Sequence, residues 1–187
     1  MTPDEATALF ERHGAMRSGH FQLSSGRHSD RYVQKARVLE RPEATMALAQ
    51  EIASWYPAVD VVVAPAVGAV VLGFAVGIAA RARSIFAERE RGRMLLRRGF
   101  VIEPGERALV VEDVVTTGGS AREVWDLVGE AGAERLGVAA LIDRTSGPPG
   151  LPLRAILRID AASWDPSDCP LCRAGAPFDA PGSRHLV

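Results

Sequence analysis

The chain has 187 residues, enough for one domain with a full apolar core. Hydrophobic residues make up 47% and charged residues 24%, which excludes a disordered or fibrous chain. The formal net charge of -1 gives no global electrostatic pull toward nucleic acid or an anionic membrane. Lys35 is the sole lysine, so 21 of the 22 basic residues are arginine, and asparagine is absent. That bias suits a heat-tolerant protein and suits genome composition equally well.

In chain order, "MTPDEATALFERHG" reads as a helix start. Thr2 can cap it, Pro3 can take the first helical position, and Asp4 and Glu5 face its positive end. It lacks the basic and apolar regions of a secretory signal. With two cysteines in the chain, the expected setting is a reducing cytoplasm. Residues 41–56 have apolar residues at helical spacing. Residues 61–80 carry no charge and contain Gly73-x-x-x-Gly77, which by length and pattern could cross a membrane. Pro65 divides that stretch, so a buried strand (59–65), a turn and a close-packed helix (68–83) explain it better. A strand (84–90), an arginine-rich loop to about Phe100, a strand (107–114) and a helix (120–132) follow. Strand patterns at 135–144 and 153–160 close the series. The valine runs are continuous rather than alternating, so the strands are expected to be buried on both faces. That predicts an α/β fold with a central, mostly parallel sheet flanked by helices. The tail from about Ser163 is rich in Pro, Gly and Cys and is expected to be irregular.

The chemistry concentrates in "VVEDVVTTGGS", residues 110–120. Glu112 and Asp113 end a buried strand, where ligands bind in open parallel sheets. Two adjacent carboxylates can bind metal, move protons or accept hydrogen bonds from a diol. The next residues favour the diol. Thr116, Thr117, Gly118, Gly119 and Ser120 lead straight into a helix, and hydroxyls, glycine N–H groups and a helix start together suit a phosphate. Acid pair plus phosphate cradle describes a ribose 5-phosphate site. The stretch is neither a Walker A loop nor GxGxxG.

This segment resembles the phosphoribosyl pyrophosphate (PRPP) motif of the type I phosphoribosyltransferases. The resemblance implies that Glu112 and Asp113 hold the ribose hydroxyls, and that the run Glu112, Asp113, Val114, Val115, Thr116, Thr117, Gly118, Gly119 and Ser120 binds PRPP. "GHFQLSSGRHSDRYVQKARVL" (19–39) is similar to the N-terminal hood of the orotate phosphoribosyltransferases. "LIDRTSG" (141–147) supplies the arginine that in that family pairs with orotate, here Arg144, and Thr116 would also face the base. A planar anionic pyrimidine suits a bidentate guanidinium. With the tail "CPLCRAGAPFDAPGSR", the resemblance covers nearly the whole chain. It implies a single phosphoribosyltransferase domain over 1–187, with a hood from about 1–40 plus the C-terminal tail and a core at about 41–160. It implies transfer of the phosphoribosyl group of PRPP to orotate in pyrimidine biosynthesis, Mg²⁺ held mainly by PRPP rather than by protein ligands, and a homodimer with a shared active site, with no nucleic-acid or membrane partner. Transfer to a purine or other base, or a non-catalytic PRPP sensor, are the alternatives.

Two departures from the family pattern stand out. Ser24 replaces the lysine that commonly precedes the hood Ser-Gly. The mobile catalytic loop, "ERERGRMLLRRG" (88–99), has five arginines and neither lysine nor histidine. Arg89 takes the catalytic, pyrophosphate-clamping role by position. Arg91 and Arg93 rank behind it, and Arg97 and Arg98 are expected to face solvent. Lys35 could replace the missing hood lysine. The Cys169-x-x-Cys172 pair is half a zinc site, with no second Cys pair and His185 as the nearby histidine. A plain thiol turn is the expected reading, with four thiolates pooled across two subunits as the alternative.

Overall fold

The structure, a computed structural model, describes residues 1–23, 26–159 and 162–179. Ser24 and His185 lie outside the described residues.

Helix α1 (Pro3–Arg12) begins as its sequence predicts: the Thr2 hydroxyl accepts from the Glu5 N–H and the Glu5 carboxylate accepts from the Thr2 N–H. Strands β1 (Met16–Gln22) and β2 (His28–Val33) form an antiparallel hairpin. A short α2 (Ala36–Leu39) and α3 (Pro42–Ser54) lead into the core. There follow β3 (Val61–Pro65), α4 (Val70–Ala80), β4 (Arg83–Glu90), β5 (Arg93–Leu96), β6 (Arg107–Val115), α5 (Gly119–Glu130), β7 (Glu134–Asp143) and β8 (Leu153–Arg158). Strands β4, β3, β6, β7 and β8 are parallel neighbours in that order, and β5 is added antiparallel at one edge. All five residues of β3 are buried, as its unbroken apolar run requires for a sheet covered on both faces. One face packs Leu109 and Val111 against Phe10, Leu48, Ile52, Leu72 and Val76 from α1, α3 and α4. The other packs Val110 and Val138 against Val124 and Val128 of α5.

The membrane-like stretch is accounted for here. A Cβ at Gly73 would lie 2.8 Å from the Ala64 Cβ, and one at Gly77 would lie 2.9 Å from the Ser84 Cβ. The two glycines therefore let α4 rest directly on β3 and β4. Among the described residues no helix is long and apolar enough to cross a membrane.

Two segments differ from the sequence expectation. The arginine-rich "loop" is a hairpin in which β4 and β5 pair from Ala87↔Leu96 to Glu90↔Arg93. Its two turn residues, Arg91 (φ 48) and Gly92 (φ 85), both sit at positive φ, the geometry of a tight hairpin turn. Arg-Gly is a weaker signal for that turn than Asn-Gly. Residues 163–179 of the tail carry regular elements where an irregular segment was expected. Strand β9 (Ser163–Trp164) pairs with β2, and β10 (Phe178–Asp179) pairs with β1. Between them lie a 3₁₀ turn at Pro166–Asp168 and helix α6 (Pro170–Arg173). The result is a second sheet of order β10-β1-β2-β9. Strands of two residues carry no periodicity for a sequence reading to find.

Candidate active site

Strand order reverses between β3 and β6. From β3 the chain moves outward to β4, and from β6 it moves the other way to β7. Such a reversal opens a crevice at the carboxyl ends of the two strands. The turn after β3 leads into α4 and the turn after β6 leads into α5, so two helix starts converge there. Neither has a side-chain cap: Ala69 caps α4 and Gly118, in the left-handed conformation at φ 80, caps α5. At α4 the Val70 N–H donates to the Val67 carbonyl at 3.3 Å, while the N–H groups that open α5 have no hydrogen-bond partner among the described residues and remain available to an anion.

Between these helix starts lie the two acids. Successive side chains of β6 alternate faces: Val110 packs on the α5 side and Val111 on the α4 side. Asp113 follows Val111 onto the α4 side, where it pairs with Lys35 and where a Cβ at residue 68 would lie 2.2 Å from its Oδ2. Gly68 is thus required for the turn after β3 to approach Asp113 this closely. Asp113 Oδ1 also accepts from the Val114 N–H at 2.6 Å. Glu112, only 8% exposed, accepts from the Asp113 N–H at 3.0 Å. Burial, reinforced by the neighbouring Asp113 charge, pushes its pKa up to about 8.

Val115 ends β6, buried, and Thr116 and Thr117 emerge exposed. Gly118 is buried, while Gly119 and Ser120 are exposed at the first turn of α5. Among the described residues, no hydrogen bond to protein engages the Thr116, Thr117 or Ser120 hydroxyls. The ordinary reading of this turn, a Ser or Thr cap, is therefore not what the chain adopts.

The Arg144 N–H donates to the Val115 carbonyl at 2.8 Å, which fixes Arg144 beside this loop. Its guanidinium is half-buried, and burial lowers its pKa. Neighbouring Asp143 is engaged elsewhere, by Arg158 at 3.0 Å and the Thr145 N–H at 2.8 Å. Among the described residues Arg144 meets no carboxylate, so a partly desolvated cation stands at the crevice without a counter-ion.

Arg89 is not turned toward the acid pair. It donates to the Glu123 carboxylate of α5 at 2.7 Å and to the Gly92 carbonyl at 2.6 Å. Arg97 and Arg98, though exposed, are paired with Glu90 and Glu88. Arg91 and Arg93 have no carboxylate partner among the described residues. The Lys35–Asp113 pair escaped the sequence reading because 78 residues separate its members.

These features accord with a phosphoribosyltransferase, and residues 80–150 match the family described as "Phosphoribosyl transferase domain". Over its full length the chain is 48% identical to the orotate phosphoribosyltransferase of Pelotomaculum thermopropionicum, covering 100% of both chains. It is 50% identical to that of Thermotoga petrophila, over 95% of this chain and 97% of the relative. The chain belongs to the orotate phosphoribosyltransferase family. Among solved structures, the orotate phosphoribosyltransferase of Mycobacterium tuberculosis H37Rv in complex with inorganic phosphate superimposes with a TM-score of 0.62 at 28% identity, covering 83% of this chain and 95% of that one.

The raised pKa of Glu112 has a thermodynamic consequence. Between its ordinary value of 4.5 and about 8 the folded state holds a proton that the unfolded state has lost, so stability falls as pH rises through that window. Glu112→Gln mimics the neutral acid and lacks this fall. Its melting temperature should gain steadily on the wild type from about pH 5 to about pH 8. A pH-independent difference between the two would show that Glu112 is already ionised in the free protein.

Proposed function

We propose that this enzyme transfers the 5-phosphoribosyl group of PRPP to orotate, releasing pyrophosphate and forming orotidine 5′-phosphate for pyrimidine synthesis. The observation that carries the reading is the convergence, at one reversal of strand order, of an uncapped helix start, a buried acid pair and a half-buried arginine without a counter-ion. The phosphate seen in the M. tuberculosis relative's structure accords with it.

In this reading the N–H groups opening α5 and the hydroxyls of Thr116, Thr117 and Ser120 hold the 5′-phosphate. Glu112 and Asp113 accept from the ribose hydroxyls, with Lys35 holding Asp113 in place. The turn at 66–68 and the start of α4 receive the pyrophosphate. Arg144 pairs with the orotate carboxylate and Thr116 borders the ring. Orotate N1 then donates its electron pair to C1 of the ribose while the C1–oxygen pair departs with pyrophosphate. The protein contributes position and charge stabilisation, not a covalent intermediate.

Mg²⁺ fits this site as a companion of the substrate. Asp113 is tied to Lys35, Glu112 is held neutral, and the described group of three or more His, Cys, Asp or Glu donors lies elsewhere. The ion would come in mainly with PRPP, with Glu112 and Asp113 the residues that would face it; when bound it would supply Lewis-acid stabilisation of the leaving group.

The reading includes a homodimer. Val71, Phe74 and Ile78 lie on one face of α4 at 54%, 62% and 54% exposure, next to Val67 at 85%. Such an apolar stripe at helical spacing suits a self-complementary interface. The β4–β5 hairpin would close over the neighbouring subunit's crevice, with Arg89 exchanging Glu123 for pyrophosphate and Arg91 and Arg93 already free to follow. A cytoplasmic setting accords with two free thiols.

Arg144→Ala should lower kcat/KM for orotate by about 100-fold, the cost of a lost charged hydrogen-bond pair, while the KM for PRPP stays within about threefold. Equal losses for both substrates would remove Arg144 from the orotate contact. Arg89→Ala should lower turnover more than PRPP binding. When the two weakened variants are unfolded and refolded together, mixed dimers carry one intact site, and about a quarter of wild-type activity should return. No recovery would mean that each hairpin serves its own chain.

A further inference from the structure

Far along the chain from the crevice, four side chains converge in the hood. The ligand atoms of His20, His28, Cys169 and Cys172 all lie within 4.8 Å of one another. His20 Nε2 stands 3.0 Å from His28 Nδ1 and 3.6 Å from each sulfur, and Cys172 Sγ is 3.3 Å from His28 Nδ1. Ligands of a tetrahedral zinc, at about 2.3 Å for sulfur and about 2.0 Å for nitrogen, are spaced about 3.3 Å (N to N), 3.5 Å (N to S) and 3.7 Å (S to S). We infer that His20, His28, Cys169 and Cys172 form a structural zinc site that locks the C-terminal segment onto the hood hairpin. The inference departs from the expectation of a plain thiol turn and draws the second pair of ligands from within the chain rather than from a partner's cysteines.

The surroundings are built for it. Strand β1 slips register between Ser18 and Phe21, and this bulge lets His20 and Phe21, consecutive residues, both be buried. His20 Nδ1 lies 3.2 Å from the Ala176 carbonyl. Donation there fixes the proton on Nδ1 and leaves the Nε2 lone pair facing inward, the usual support of a metal-bound histidine. One lone pair cannot satisfy the three groups crowded against Nε2; a shared cation can. Two thiolates neutralise a divalent ion, and the thiolate–imidazole donor set favours zinc over Mg²⁺. Phe178 covers both rings at 5.0 Å. The hood also needs a clasp. Strands β9 and β10 have two residues each, and Phe21 and Cys169, both buried, belong to neither core cluster. A metal joining residues 149 positions apart supplies the order that apolar burial does not.

The test is elemental analysis of the full chain, purified under reductant without added metal. One zinc per chain is expected, released when a mercurial titrates the thiols. Cobalt(II) exchanged into the protein should give sulfur-to-metal charge-transfer absorption and intense tetrahedral bands. Cys172→Ser alters the exposed ligand and spares the buried ones; it should weaken zinc binding at least 100-fold and melt with the metal-free wild type, below the zinc-loaded form. A folded wild type that stays metal-free with zinc in several-fold excess, and melts together with Cys172→Ser, would overturn the assignment and leave a hydrogen-bonded histidine pair.

Discussion

Two carboxylates are buried near the end of a strand that is otherwise apolar after Arg107, and the rest of the site depends on how their charge is met. Asp113 is met by Lys35, which brings the segment after the hood hairpin down onto the core. Glu112 forms no ion pair among the described residues, and burial together with the Asp113 charge pushes its pKa up. Breaking a buried ion pair strands an uncompensated charge and costs several kcal/mol, on the order of 3–5. The single lysine of the chain is therefore a link between hood and crevice, and Gly68 is the residue that leaves room for it.

Anion binding follows from the same reversal of strand order. Two uncapped helices point their positive ends into one crevice, and the glycine and hydroxyl residues that could have closed them off instead stand open. A ligand with phosphate at one end and pyrophosphate at the other suits that arrangement. Arg89 of the arginine hairpin is tied to Glu123 of α5, while Arg98–Glu88 and Arg97–Glu90 are pairs within the hairpin itself. These pairs are exposed and screened by solvent, so each contributes little to holding its side chains in place. Arginine in place of lysine costs the hairpin nothing in charge and adds bidentate geometry.

Much of this was legible in the sequence, because its signals are local. The valine runs announced the parallel sheet, Thr2-Pro3-Asp4-Glu5 announced the first helix, and the acid pair with its glycine turn marked the candidate site at the carboxyl end of β6. Pro65 correctly divided a stretch that reads like a membrane span. What escaped is long-range or too short to be periodic. The Lys35–Asp113 pair, the Arg89–Glu123 pair and the two-residue strands of the tail depend on tertiary contacts. In sequence the histidine near Cys169 and Cys172 is His185, whereas the topology brings His20 and His28 to them on β1 and β2, more than 140 residues away. The β4–β5 turn was missed because Arg-Gly lacks the usual hairpin dipeptide.

The central claim is tested most directly by following PRPP-dependent loss of orotate by ultraviolet absorbance with Mg²⁺ present, with adenine, hypoxanthine, xanthine and uracil run in parallel by product chromatography. The account predicts consumption of orotate and of no other base, with orotidine 5′-phosphate and pyrophosphate formed in equal amounts. Tight PRPP binding without turnover of any base would contradict it and leave the crevice as a sensor of PRPP; turnover of a purine in place of orotate would contradict the role given to Arg144.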